Sequence, residues 1–216
     1  MNPRRFFLFA ASLMLLTGRV PAADEAAAKA PAPTKKMETV TLGAGCFWCI
    51  EVILQRVKGV EKVESGYSNG HVKNPTYRQV CEGDTGHAEV VKVTFDPEVM
   101  PFEKLLEVFF ELHDPTTLNR QGNDEGTQYR SGIYYHTDAQ KATAEQVKAK
   151  VGKSGKFKDP IVTEIVKLEN YYPAEDYHQD YFNANFTKGT GNWGYCRATI
   201  VPKLKKMGLL KPEENK

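Results

Sequence analysis

The stretch ETVTLGAGCFWCIEVILQRV (residues 38–57) changes its periodicity halfway along. Over 38–42 apolar and polar residues alternate, as a half-buried strand requires. The run breaks at Gly43-Ala44-Gly45, and beyond Phe47 the residues Ile50, Ile53, Leu54 and Val57 recur at helical spacing. A strand that feeds a helix through a glycine-rich turn places Cys46 at the helix start. Backbone amides there stabilise a nearby anion, so Cys46 is expected to ionise below the usual thiol value of about 8.5. A thiolate serves equally as nucleophile or metal ligand, and a buried structural cysteine is the plainer alternative. Phe47 and Trp48 cannot both join one core stripe. At least one can therefore wall an apolar pocket beside the sulfur, and such a pocket suits a thioether-like group.

Working outward, strands are expected over 60–67, 88–95, 132–136 and 162–168, and helices over 47–57, 102–112, 138–151 and 175–183. Val91, Val93 and Phe95 share one strand face, and Leu105, Leu106, Phe109 and Phe110 form the apolar stripe of a helix. Residues 113–130 show little periodicity, and a loop of that length is commonly functional. Connections of such uneven length favour an α+β layered fold over a doubly wound parallel sheet. With no internal repeat and no second shift in composition, residues 38–207 read as a single domain, followed by a polar tail over 208–216.

The chain has 216 residues, 41% hydrophobic and 26% charged, which excludes a wholly disordered protein, a collagen or a multi-span membrane protein. Residues 1–22 read as a secretory signal: Arg4-Arg5, an apolar run over 6–16, then Val20-Pro21-Ala22 at the cleavage point. Arg4-Arg5 followed by Phe7-Leu8 also fits twin-arginine export, so the route stays open. Residues 23–37 form an Ala/Lys/Pro-rich linker. The formal charge of +2 includes Arg4, Arg5 and Arg19; without them 26 basic residues face 27 acidic ones. The mature protein is therefore near neutral, and its charge calls for neither nucleic acid nor an anionic membrane. It is expected to be exported, periplasmic or otherwise extracytoplasmic, and monomeric.

Cys49 completes a C-x-x-C pair with Cys46, leaving only the isolated Cys81 and Cys196. A structural zinc needs a second ligand pair, so no metal is expected. In an exported protein the pair must be a structural disulfide or part of a cycle that is actively re-reduced.

Gly45-Cys46-Phe47-Trp48 resembles the signature of the peptide methionine sulfoxide reductase A family. Ser65-Gly66-Tyr67, Asn74-Pro75-Thr76-Tyr77, Gly86-His87-Ala88-Glu89-Val90, Gly126-Thr127-Gln128-Tyr129-Arg130-Ser131 and Tyr172-Pro173-Ala174-Glu175-Asp176-Tyr177-His178-Gln179 resemble the same family, in order. The resemblance runs over about 38–205. It implies a two-layer α/β sandwich with a mixed sheet, related to ferredoxin-like folds, and no metal or organic cofactor. By the family pattern Cys46 is the nucleophile, Glu89 the acid, and Tyr77 and Tyr129 the hydroxyl donors. Asp124 matches a substrate-binding acid, and Phe47 and Trp48 match the pocket for the substrate's methyl group. The implied reaction is reduction of methionine-S-sulfoxide, free or in proteins, with a thioredoxin-like dithiol as electron donor.

The chemistry suits these residue types. A sulfoxide needs a nucleophile at sulfur and a proton for its oxygen, which Glu89 could supply if its pocket raises its pKa. On the residue alone, an acid in an alternating strand is more often solvated, and a tyrosine more often packs. The resulting sulfenic acid can condense with a second thiol. Cys49, three residues on, is preferred; Cys196, in a glycine-rich stretch able to swing in, is the alternative. Cys81, His87 and His178 read as structural, and Glu175 and Asp176 as first-turn helix acids. Two other readings remain: a general dithiol–disulfide oxidoreductase built on Cys46 and Cys49, and a secreted binding domain with structural disulfides.

Overall fold

The computed structural model describes residues 36–186 and 193–215. The signal segment and nearly all of the linker lie outside the described residues. The strands are β1 (Glu38–Ala44), β2 (Val60–Ser68), β3 (Ala88–Phe95), the two-residue pair β4 (Arg120–Gln121) and β5 (Asp124–Glu125), β6 (Ser131–Tyr135), β7 (Glu164–Lys167) and β8 (Tyr171–Pro173). The helices are α1 (Phe47–Leu54), α2 (Tyr77–Glu82), α3 (Phe102–Leu112), α4 (Asp138–Lys153), α5 (Tyr181–Phe186) and α6 (Trp193–Lys206). Six strands form a mixed sheet in the order β7-β6-β1-β3-β2-β8, antiparallel throughout except between β6 and β7. The α+β architecture is the one expected.

Alternation decides what the sheet buries. Val40, Leu42 and Ala44 of β1 and Val91, Val93 and Phe95 of β3 join one core with Ile50, Ile53 and Leu54 of α1. Leu105, Leu106, Phe109 and Phe110 of α3 complete it. Each side chain of that size stabilises by about 2 kcal/mol when fully buried. The opposite face carries a smaller cluster of Ala88, Val90 and Tyr134.

Departures from expectation have local causes. The first helix stops at Leu54, because the N–H groups of Arg56 and Val57 bond three residues back and Gly59 turns the chain at φ 92°. Residues 175–183 are not one helix. A single 3-10 turn, Asp176–His178, is followed by Asp180 in the left-handed region at φ 51°. The Gln179 side chain there bonds the backbone of Ser65 on β2 twice, at 2.9 Å each, and also donates to the Ala174 carbonyl at 2.9 Å, tying the segment to the sheet edge. Two helices were not anticipated. The six-residue α2 starts at a capping box, with Thr76 and Gln79 satisfying each other's backbone N–H groups. Helix α6 begins inside the stretch expected to be a mobile glycine-rich arm.

The C-terminal residues, expected as a polar tail, are docked. Glu214 receives both Arg56 guanidinium nitrogens at 2.5 and 2.6 Å, with side-chain exposures of only 3% and 9%. Arg56 also donates to the Leu209 carbonyl at 3.1 Å. Glu214→Ala leaves a buried cation unpaired, so urea denaturation is expected to show a loss of about 3 kcal/mol.

Candidate active site

The site is assembled around Gly45. Its φ of +87° lies in the left-handed region, and a Cβ there would sit 2.6 Å from Cβ of Gln121. Only glycine allows that approach. Gln121 in turn accepts from the Asp114 N–H at 3.2 Å and donates to the Asp114 carbonyl at 2.9 Å. The aperiodic loop is thus folded into the β4–β5 hairpin, turning at Gly122 and pressed against the start of α1. This brings Asp124 to a cavity of about 180 Å³ lined by Cys46, Cys49, Gln121, Asp124, Tyr195 and Thr199, among others.

Cys46 occupies the N-cap position of α1 and is 8% exposed. The expectation of an ionised Cys46 is corrected. Its thiol hydrogen-bonds Cys49, and this bond, burial, and the charges of Cys49, Glu89 and Asp124 all push its pKa up. Cys49 is pulled down, first by the bond from Cys46 and then by Lys203 and Thr199, against the effect of burial. Of the two thiols, Cys49 is therefore the one that ionises more readily, with Cys46 keeping its proton. The helix-start amides are present, but the bond to Cys49 and burial outweigh them.

Glu89 has the same strand parity as Val91, Val93 and Phe95, so the pleat turns it into the core. It is 1% exposed, and its Oε2 accepts the Phe47 N–H at 3.1 Å. Burial pushes its carboxyl up to about 8, so it is protonated at neutral pH. Burial and the neighbouring Glu89 also raise the phenols of Tyr77 and Tyr129, which remain donors.

Phe47 is fully buried, with its ring 5.8 Å from Tyr67 and stacked on Tyr77 at 6.3 Å. Trp48, the half-buried member of the pair, stacks on Tyr181 at 3.9 Å and 9°. Its Nε1 donates to Nδ1 of His178 at 3.1 Å, which fixes the proton of His178 on Nε2. That nitrogen is buried without a hydrogen-bond partner, and burial keeps the ring neutral. His178 thus belongs to the aromatic wall. His87 is structural: its ring accepts from the Gly70 N–H at 3.1 Å and donates to the Val72 carbonyl at 2.7 Å.

Two acids were overlooked as site residues. Glu175 accepts the Tyr67 hydroxyl at 2.8 Å and the Tyr77 N–H at 2.9 Å, so it sets where the Tyr77 ring projects. Glu51, 2% exposed on α1, accepts the N–H groups of Asp180 and Tyr181 and anchors the start of α5 beneath Trp48. No pattern in the sequence marks either contact, since each joins segments about 100 residues or more apart. Glu51→Ala is expected to release Tyr181 from Trp48. Steady-state kinetics should show KM rising about fivefold to tenfold, with kcat less affected, the mark of lost substrate binding.

Cys81 is exposed, and its thiol hydrogen-bonds Tyr77. Cys196 falls within α6, but its side chain lies outside the described residues. The structure therefore brings together Cys46, Cys49, Glu89, Phe47, Trp48, Tyr77, Tyr129 and Asp124, and leaves Cys196 unplaced.

The peptide methionine sulfoxide reductase family model matches residues 38–214. The peptide methionine sulfoxide reductase MsrA of Trichodesmium erythraeum is 52% identical over 178 residues, 82% of this chain and 98% of that protein. That of Sulfolobus acidocaldarius is 54% identical over 171 residues, 79% of this chain and 93% of its own. Among solved structures, reduced Mxr1 from Saccharomyces cerevisiae superposes with a TM-score of 0.66 at 38% identity, covering 71% of this chain and 88% of its own. The methionine sulfoxide reductase A of Corynebacterium diphtheriae gives 0.61 at 38% identity, covering 69% and 75%. A match over residues 38–214, joined to a paired thiol beside a buried protonated acid, assigns the chain to the peptide methionine sulfoxide reductase family, a class of oxidoreductases.

Proposed function

We propose that this protein reduces methionine-S-sulfoxide, free and in proteins, and repairs oxidised proteins outside the cytoplasm after export. The observation that carries the reading is the buried, protonated Glu89 bonded to the N–H directly after Cys46. A carboxyl kept neutral at pH 7 can protonate the sulfoxide oxygen as negative charge develops on it.

In this account the substrate's methyl group lies against Phe47 and Trp48, and its oxygen receives hydrogen bonds from Tyr77, Tyr129 and Glu89. Cys46 passes its proton to the Cys49 sulfur and attacks the sulfoxide sulfur as a thiolate. Attack forms a bond between the Cys46 sulfur and the sulfoxide sulfur while Glu89 protonates the oxygen. The hydroxyl then passes to the Cys46 sulfur as that S–S bond breaks, leaving Cys46 sulfenic acid and methionine, so the sulfoxide is reduced as the thiol is oxidised. Asp124 orients polar atoms of the substrate backbone. Cys49 then displaces hydroxide from the sulfenic sulfur; hydroxide leaves as water, and a Cys46–Cys49 disulfide remains. A thioredoxin-like dithiol reopens it by exchange. The hydrogen bond between the two thiols favours Cys49 over Cys196 as the partner.

The test is turnover of the mature protein on each sulfoxide epimer with dithiothreitol. Methionine should form from the S epimer, with the R epimer slower by at least about a hundredfold, as expected of a site where an inverted sulfur cannot reach both nucleophile and acid. Equal rates on both epimers, or no methionine, would refute the reading.

A further inference from the structure

Helix α6 presents Tyr195, Thr199 and Lys203 at i, i+4 and i+8, a single helical face, and all three line the cavity that holds Cys46 and Cys49. The Tyr195 hydroxyl donates to Asp124, which fixes this face against the β4–β5 hairpin. One turn on, the Thr199 hydroxyl has one proton and two acceptors: the Tyr195 carbonyl at 2.8 Å and the Cys49 sulfur at 3.7 Å. One turn further, Lys203 brings a positive charge into the same half-buried space.

We propose that Thr199 and Lys203 are positioning residues for the second half of the reaction, holding the Cys49 sulfur as the anion that closes the disulfide on oxidised Cys46. The assignment rests on the reading of Cys49 as the partner of Cys46. As the Cys49 thiol ionises, the Thr199 proton turns from the carbonyl to the sulfur, and Lys203 balances the charge. Closure then forms the S–S bond and releases hydroxide, protonated to water. The ionisable groups acting on Cys49 are Cys46 at the helix start, Glu89 of β3, Asp124 of β5, and Tyr195 and Lys203 of α6. Of these, Lys203 alone is a cation.

This separates the two chemical steps. The population of Cys46 thiolate, relative to the doubly protonated pair, does not depend on what stabilises charge on Cys49. Removing Lys203 therefore leaves methionine release undiminished and slows only closure. Loss of one neighbouring charge lowers ionised Cys49 by about tenfold. The more basic thiolate that remains is about threefold more nucleophilic, so closure slows by about threefold at neutral pH.

The experiment uses the reduced full chain, one equivalent of methionine-S-sulfoxide and no reductant. Methionine is timed, and the disulfide and dimedone-trapped sulfenic acid are read by mass spectrometry from pH 6 to 10. Lys203→Met and Thr199→Val should still release one methionine per chain, which also reports that they are folded. Both should accumulate trapped Cys46 sulfenic acid and close about threefold more slowly at pH 7. The difference should vanish or reverse near pH 10, and Lys203→Arg and Thr199→Ser should restore closure. Wild-type closure rates and pH profile in both variants overturn the role of α6 while leaving the Cys46–Cys49 pairing intact. A Cys46–Cys196 disulfide in the unmodified chain overturns the pairing and this assignment together.

Discussion

Replacing Cys46 by serine is expected to abolish methionine formation, with a loss of at least about a thousandfold, the scale seen when a nucleophile is removed. The substitution is nearly isosteric at a position only 8% exposed, so the fold should survive. A second effect follows from the shared proton. Serine keeps an O–H donor at that position, so the effect is read in Cys46→Ala, where Cys49 loses the first of the interactions that lower its pKa. Its alkylation by iodoacetamide at neutral pH should slow in the alanine variant, even though its exposure is unchanged. Chromatographic assay of methionine and timed alkylation check the two effects. Persistent turnover would make Cys49, or neither cysteine, the attacking group.

Glu89→Gln is expected to lower the rate of methionine formation by about a hundredfold to a thousandfold, the usual worth of a placed general acid. Its pH signature is distinct. In the unmodified protein the single-turnover rate should fall above about pH 8 as Glu89 loses its proton. Thiol ionisation alone would make the rate climb there. The glutamine variant should lose this alkaline fall. Stability should move the other way. The folded pKa lies above the ordinary carboxyl value of 4.5, so between about pH 4.5 and 8 the native state holds a proton that the unfolded chain has released. Stability therefore declines as pH rises through this window, and glutamine removes the decline. Thermal melts at pH 5 and pH 8 should show the variant gaining relative to wild type at the higher pH. A matched pH dependence in both proteins would contradict a buried, protonated Glu89.

Much of the domain could be read directly where one periodicity runs long enough to register. The strand over 88–95 and the helix over 102–112 appear with the bounds expected. The glycine-rich turn into Cys46 appears as well, because the φ of Gly45 and its contact with Gln121 leave no other residue there. Helix α2 escaped because six residues make too few turns for a repeat, although its Thr76–Gln79 capping pair was visible. Helix α6 was masked by the glycines before it and by Pro202 inside it. Glu89 illustrates a signal passed over. An acid in a strand is commonly solvated, yet counting by twos from Val91, Val93 and Phe95 places it inward. Cys46 shows the reverse: the helix-start argument left out its near neighbour Cys49 and the burial of the thiol, and Glu89 and Asp124 add their effect from across the fold. Glu51, Glu175 and His178 hold their partners only after β2, α2 and α5 converge, and one-dimensional spacing does not carry that convergence.

The central claim is that the Cys46 sulfur takes the oxygen from the substrate. It is tested most directly with Cys49→Ser/Cys196→Ser protein, in which the sulfenic acid has no partner in the proposed cycle. One equivalent of methionine-S-sulfoxide bearing heavy oxygen is added without reductant, and the intact chain is weighed and then digested. The account predicts one methionine released per chain and the heavy oxygen on Cys46. Release of methionine with Cys46 unlabelled, or an unchanged thiol and no methionine, would contradict it.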